Sequence, residues 1–305
     1  MKLRLPVVLA LLGVYVIWGS TYLAMRFAIE SIPPLLMAGS RYVAAGVLLF
    51  SFLKWRGHAW PTLRQWRGSA IVGVLLLLGG NGMVGLALEQ GVSSGMSALV
   101  VGVTPLFALV FARFWGQRAS GREWLGIGIG LFGLVLLNFG RELSTSPLGG
   151  VLLVLAALSW SFGSIWGKHL DLPSSFMASA LQMIVGGVAL VLVGLARGEA
   201  LTDMPSDKAL WSLAYLVFFG AILGFSAYAY LLETVRPALA TSYAYVNPLV
   251  AVALGVWLGG ESVDALELVA MAVILAGVVM VYLPVARTPS PHLQPPAPAT
   301  ASQDR

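Results

Sequence analysis

Ten apolar runs follow one another along this chain, each close to the roughly 20 residues that cross a bilayer core as a helix. They lie at about 5–28, 34–53, 67–88, 95–112, 123–139, 148–167, 174–195, 209–232, 238–258 and 265–284. Short connectors separate them and leave no room for an extramembrane domain. In hydrocarbon the backbone has no water to bond, so runs of this length fold as helices. Composition agrees: 58% of the 305 residues are hydrophobic and 10% are charged, against about 25% charged in soluble domains. The sequence predicts an all-α polytopic membrane protein with ten transmembrane helices. The first run follows Lys2 and Arg4. It is too long for a signal-peptide core and has no convincing cleavage site, so it is expected to remain as the first span.

The net charge of +5 comes from scattered residues, not from a basic patch of the kind that binds nucleic acid. With the N-terminus inside, 13 Lys and Arg fall on the inner side, among them Lys54, Arg56, Arg113 and Lys168. Four fall outside: Arg26, Arg141, Arg197 and Lys208. The positive-inside rule therefore places both termini in the cytoplasm. There is no cysteine, so disulfides, thiol nucleophiles and thiolate metal sites are excluded. Residues 287–305, rich in Pro, Ala and Ser, read as a disordered cytoplasmic tail.

The chain is also written twice. "YVIWGSTYLAMR" aligns with "LSWSFGSIWGK" when Trp18 is set on Trp160. "LMAGSRYVAAGV" aligns with "MASALQMIVGGV", placing Arg41 opposite Gln182. Thr104-Pro105-Leu106 falls on Asn247-Pro248-Leu249, and "EWLGIGIGLFGLVLL" on "ELVAMAVILAGVVMV". The offsets stay between 141 and 144. Residues 1–142 therefore form one five-helix repeat and 143–286 a second. Five is odd, so the second copy enters from the opposite face. Inverted repeats with interrupted helices around a central midplane cavity are the pattern of secondary transporters.

Pro105 and Pro248 interrupt apolar runs. Each removes a backbone hydrogen bond and frees a carbonyl one turn earlier, for which Thr104 and Asn247 are the nearest side-chain partners. A packing kink is the plainer alternative, and it weighs more for Pro105. Tyr243 lies one turn before Asn247 and shares its face.

"ALATSYAYVNPLVAVALGVWLGGESVDALELVAMAVILAG", "IWGSTYLAMR" and "AGSRYVAAGVLL" resemble EamA-type transporters of the drug/metabolite superfamily, in particular a bacterial exporter branch. The resemblance spans about residues 6–284 and implies efflux or exchange of small metabolites, often amino acids or nucleobases. One departure is that the loop acid Glu261 has no clear twin in "WGQRASGRE".

A midplane site for a small amphiphile combines aromatic walls with a few neutral polar groups. Deep polar and aromatic positions supply the substrate-binding candidates: Trp18, Tyr22, Asn81, Trp160, Ser164, Tyr228, Tyr243 and Asn247. The plain alternative for the aromatics is an interfacial anchor, which suits Trp55, Trp60, Trp66 and Trp211. Arg41 is the charge well inside a span, at a cost of at least about 2.5 kcal/mol. It is expected to be a structural clamp reaching Glu30 or Glu261, with a counter-ion for a substrate carboxylate as the alternative. Gln182, Pro105 and Pro248 join it as gating or structural positions, and so does Glu89, the nearest approach to a proton-carrying gate.

Glycine-rich stretches such as "GIGIGLFG" read as helix-packing surfaces. No nucleotide-binding segment, HExxH motif, deep histidine or acid pair is present, so no cofactor or metal is expected and a membrane-embedded enzyme is the weaker reading. The expected partners are a small-molecule substrate and the bilayer, with the chain a monomer or homodimer. Uniport or exchange is preferred over proton antiport.

Overall fold

The computed structural model describes residues 5–116, 120–137, 146–234 and 243–282, and among them every regular element is helical. We number ten helical segments. They are α1 (Leu5–Ala28), α2 (Pro34–Trp55), α3 (Leu63–Glu89), α4 (Ser94–Trp115), α5 (Gly121–Leu137), α6 (Pro147–Gly167), α7 (Ser175–Ala196), α8 (207–234), α9 (Tyr243–Gly259) and α10 (Ala265–Tyr282). Seven stretches are long and apolar enough to cross a membrane on length and composition alone: α1 to α4, α6, α7 and Asp207–Tyr228 of α8. Shorter apolar stretches, Val246–Gly259 and Ala265–Gly277, lie in α9 and α10. The first part of the expected ninth span and the expected tail lie outside the described residues.

Local chemistry sets the helix ends. Thr62 and Gln65 form a reciprocal capping box, so α3 starts at 63, earlier than the apolar run suggests. Ser93 caps α4 and Ser206 caps α8, each accepting a backbone N–H. Gly57, Gly116, Gly198 and Gly260 follow the C-termini of α2, α4, α7 and α9 with φ of 84°, 80°, 84° and 62°. Only glycine takes that left-handed turn at no steric cost. Gly57 and Gly198 are 141 positions apart, and Gly116 and Gly260 are 144 apart, matching the sequence offsets. Capping boxes repeat in the same way: Ser120 with Glu123 opens α5, and Asp264 with Glu267 opens α10.

Packing follows the inverted repeat. The densest crossings join twin helices, α2 to α7 and α5 to α10. Glycine allows both approaches: a Cβ on Gly187 would meet the Val43 nitrogen at 2.8 Å, and one on Gly277 would meet the Gly130 nitrogen at 2.5 Å. The remaining large contacts also come as twins across the repeats. Helix α1 packs on α9 and α8, while α6 packs on α4 and α3. The repeats are thus intertwined, so neither buries its helix faces alone.

Three helices depart from α geometry, two of them at twin positions. Val74–Gly82 of α3 and Leu216–Leu223 of α8 are π-helical, starting 142 positions apart. Such segments loosen a helix and recur at functional sites. In α4 the α-helical hydrogen-bond ladder tightens into a turn at Gly102–Val103 and the helix resumes at Thr104 with Pro105 in its first turn. Pro248 behaves differently and sits inside α9.

Candidate functional site

Pro105 shows how a freed carbonyl is satisfied. Pro105 has no N–H to offer the carbonyl of Val101, and Thr104 Oγ1 donates to that oxygen at 2.6 Å. Ser161 of α6 donates to the carbonyl of Thr104 at 2.8 Å. The twin contact is made by Gly19, aligned with Ser161, which brings α1 against α9: a Cβ on Gly19 would lie 3.3 Å from the carbonyl of Asn247. The α1/α9 and α6/α4 crossings are therefore one arrangement used twice.

Asn247 is 7% exposed. Its two acceptor neighbours fix the amide orientation: Nδ2 donates to the carbonyl of Tyr15 at 3.3 Å and to that of Tyr243 at 3.2 Å. Its donors thus tie α9 to α1 instead of projecting into open space.

Beside this junction the structure gathers three of the expected aromatic residues. The Trp18 ring centroid lies 4.8 Å from that of Tyr243 and 5.1 Å from that of Tyr228, and the two tyrosines are 5.4 Å apart. Phe225, 5.5 Å from Trp18, completes the cluster. Trp18 Nε1 donates to the carbonyl of Gly220 at 3.1 Å, inside the π segment of α8. Gly224 makes room for the indole, since a Cβ there would fall 2.8 Å from Trp18 Cδ1. Trp160 takes the corresponding place against Gly80 of the α3 π segment, where a Cβ would fall 2.8 Å from its ring. Asn81 is the next residue of that segment and is half-buried, as are Ser164 on α6 and Tyr22 on α1. Gln182 of α7 presents its backbone to Gly73 of α3, at 2.6 Å from the position of a Cβ there. Gly220 and Gly224 were not singled out by sequence, because nothing distinguishes them from the chain's other glycines.

Arg41 of α2 does not form the clamp expected from sequence. Both proposed partners are taken elsewhere: Glu30 bonds Lys208 at 2.7 Å, and Glu261 bonds Arg26 at 2.7 Å. Arg41 is 3% exposed and donates from Nη2 to the hydroxyl of Tyr42 at 2.8 Å. The guanidinium stands over the Tyr42 ring at 4.4 Å from its centroid. Glu89 is an exposed residue at the end of α3, 3.6 Å from Arg197. The side chain of its sequence twin, Glu233, lies outside the described residues.

Glu261 organises one end of the bundle. Its carboxylate is 5% exposed and accepts the backbone N–H groups of Ser94 and Gly95 at 2.8 and 3.1 Å, besides Arg26. One acid therefore caps α4, neutralises the last turn of α1 and fixes the α9–α10 loop. Nearby, Glu199 accepts the N–H of Leu35 at 3.0 Å and of Leu36 at 2.9 Å, capping α2. A cleft of about 620 Å³ opens at this end between Arg26, Val92, Ser93, Glu261, Asp264 and Glu267.

Twin helices crossing about a pseudo-two-fold axis, with loosened segments packed against the half-buried Trp18 and Trp160, define a membrane transporter. The chain belongs to the EamA-like transporter family, whose model matches residues 5–139 and again 147–283. Among relatives, it is 48% identical over 279 residues to the uncharacterized inner membrane transporter YedA of Escherichia coli K12, covering 92% of this chain and 91% of that one. The resemblance to EamA-type transporters expected from sequence, and to their bacterial YedA-like branch, is thus borne out. The probable amino-acid metabolite efflux pump of the same strain is 22% identical over 283 residues, covering 88% and 92%. A crystal structure 20% identical in sequence aligns with a TM-score of 0.65 over 90% of this chain and 96% of its own, which bears on the fold alone.

Proposed function

We propose that the chain is a secondary transporter that exports or exchanges small metabolites, amino acids or related amphiphiles, across the bacterial inner membrane by alternating access. Both termini face the cytoplasm in this reading, and the Glu261 end faces outward. The observation that carries it is the twin placement of Trp18 and Trp160 against loosened segments of α8 and α3. Two equivalent half-sites built on weakened helices are what a rocking carrier exchanges between its two faces. Trp18, Tyr22, Tyr228, Tyr243 and Trp160 supply apolar walls, and Asn81 and Ser164 supply neutral polar groups. Asn247, with Pro248 beside it, holds α9 to α1.

A named efflux pump among the relatives favours metabolite export, and relatives named as transporters favour a carrier over an enzyme. Uniport or exchange is preferred to proton antiport because Glu89 stands in an exposed pair. Reconstituted protein provides the test. Proteoliposomes loaded with an unlabelled amino-acid mixture should accumulate labelled solute by saturable counterflow, without a pH gradient. Non-saturable leakage would indicate a pore. Accumulation only under an imposed gradient, abolished in Glu89→Gln, would indicate proton antiport.

A further inference from the structure

We infer that the loop joining α2 to α3 is a binding site for an anionic phospholipid, held by Arg56, Arg64 and Arg67. The observation that carries it is a contrast between twin loops. Arg56-Gly57 after α2 corresponds to Arg197-Gly198 after α7, and both glycines take a φ of 84°. Thr62 caps α3, and Ser206, 144 positions on, caps α8. One backbone arrangement is thus used twice, with different charges.

From Arg197 to Lys208 there are two basic and three acidic residues. Arg197 meets Glu199 at 3.3 Å and Lys208 meets Glu30 at 2.7 Å, so the cations there are neutralised. From Lys54 to Arg67 there are four basic residues and no acid, and His58 stands where the twin has Glu199. Lys54 is engaged within the loop: Nζ donates to the carbonyl of His58 and lies 4.2 Å from the centroid of the Trp60 ring. Arg56, Arg64 and Arg67 are exposed and form no ion pair among the described residues, where the paired cations are Arg26, Arg197 and Lys208. Asp171 approaches through its backbone carbonyl, 2.6 Å from where a Cβ on Gly68 would lie, and pairs with none of them.

The start of α3 adds to this field. A helix N-terminus carries partial positive charge and favours anions. Helix α8 follows that preference with Asp207 in its first turn, whereas α3 has no acid there and carries Arg64 instead. Cations at that end work against the helix, and an anion supplied from outside reverses the sign.

The surroundings identify the anion as a lipid headgroup. Trp60 and Trp66 both pack on Phe50, with ring centroids at 5.8 and 6.3 Å, which draws the start of α3 onto the end of α2. Along α2, Leu48, Phe52 and Trp55 recur at helical spacing and are 48%, 50% and 80% exposed. This apolar stripe leads to Arg56, whose guanidinium is 5.9 Å from the Phe52 ring centroid. Helix α2 is as long as a hydrocarbon core is thick, so Arg56 lies at headgroup level with the stripe at acyl-chain depth. An acyl chain lies along the stripe, and the arginines take the phosphate, whose oxygens they bond in pairs. A soluble anion would leave the stripe uncovered. The site is separate from the Trp18 and Trp160 half-sites and does not depend on the solute carried.

The test titrates the full chain in detergent with dioleoyl phosphatidylglycerol, dioleoyl phosphatidylcholine or inorganic phosphate. Two readouts are used: the shift in unfolding midpoint, and the phospholipid retained per protein in native mass spectrometry. On the wild type, phosphatidylglycerol should act at concentrations about tenfold or more below phosphatidylcholine, and inorganic phosphate should have no effect over the same range. Arg56→Gln, Arg64→Gln and Arg67→Gln should each raise the half-effective concentration of phosphatidylglycerol about fivefold. Lysine at the same positions should keep most of the preference, and Arg197→Gln in the twin loop should leave it unchanged.

Equal action of the two lipids overturns the inference, as does a preference that survives all three glutamine variants. Inorganic phosphate acting as well as phosphatidylglycerol overturns it in favour of a soluble anion. The same loss in Arg197→Gln overturns it in favour of diffuse net charge. Where one glutamine variant fails to fold, the other two and the lysine forms decide by the same criteria.

Discussion

Arg26 and Glu261, 235 residues apart in sequence, meet at 2.7 Å where the end of α1, the start of α4 and the α9–α10 loop converge. The same carboxylate caps α4 through Ser94 and Gly95, so one side chain closes three elements over the interior. A carrier that opens at this end must break the contact.

Glu261→Gln should weaken that closure. A hydrogen bond to a charged group contributes about 1.5–3 kcal/mol net, enough to raise the open population by about tenfold or more. The absence of native cysteine gives a clean background. Ser97, fully buried one turn into α4, is replaced by cysteine as the reporter. Its rate of labelling by a membrane-impermeant maleimide should rise by that factor in the double variant. An unchanged rate would mean that Glu261 is only a helix cap.

Gly224→Ala should be more damaging than Gly220→Ala. The first places a methyl group 2.8 Å from Trp18 Cδ1 and against its indole nitrogen, the second 3.0 Å from Thr21 Cγ2. Overpacking of this kind costs about 1–3 kcal/mol, and in the first case it also drives Trp18 out of the aromatic cluster. Counterflow should fall severalfold or more in Gly224→Ala and modestly in Gly220→Ala, with the tryptophan emission maximum shifting only in the first.

The contrast between these glycines marks the limit of what sequence reveals. Apolar run length exposed the helices, and the offset between Trp18 and Trp160 and between Pro105 and Pro248 exposed the duplication. Both are patterns along the chain. The π segment of α8, Leu216–Leu223, was not legible, because its Leu, Val and Phe content gives no sign of a departure from an α-helix. Arg26 was read as a loop charge, since its partner lies 235 positions away and no local spacing signals the pair. For Arg41 the burial was foreseen and the partner was not, because both expected acids are satisfied by nearer cations and backbone amides. Asn247 was expected to face a cavity, yet in the structure it bonds backbone carbonyls on its own helix and on α1.

That placement of Asn247 separates a structural tie from a solute ligand. Asn247→Ala should lower the unfolding midpoint, since it removes the amide hydrogen bonds that tie α9 to α1, each worth about 0.5–1.5 kcal/mol net. Asn247→Asp should lower it further, because a carboxylate would face the carbonyls of Tyr15 and Tyr243 with no proton to donate. If Asn247→Ala changed apparent solute affinity at an unchanged midpoint, the residue would belong to the binding surface.

Orientation is open to the same cysteine chemistry. Glu199 caps α2 at Leu35 and Leu36, so the loop after α7 and the start of α2 share one end of the bundle. Helix α2 then runs 22 residues, about 33 Å at 1.5 Å per residue, the thickness of a hydrocarbon core. His58, just beyond its end, therefore lies a full membrane away from Thr202, and both residues are exposed. Lys54, Arg56, Arg64 and Arg67 flank His58, which predicts a cytoplasmic location for that end. In intact spheroplasts an impermeant maleimide should label Thr202→Cys at once and His58→Cys only after permeabilisation. The opposite pattern would invert the assignment and place the Arg26–Glu261 contact on the cytoplasmic face.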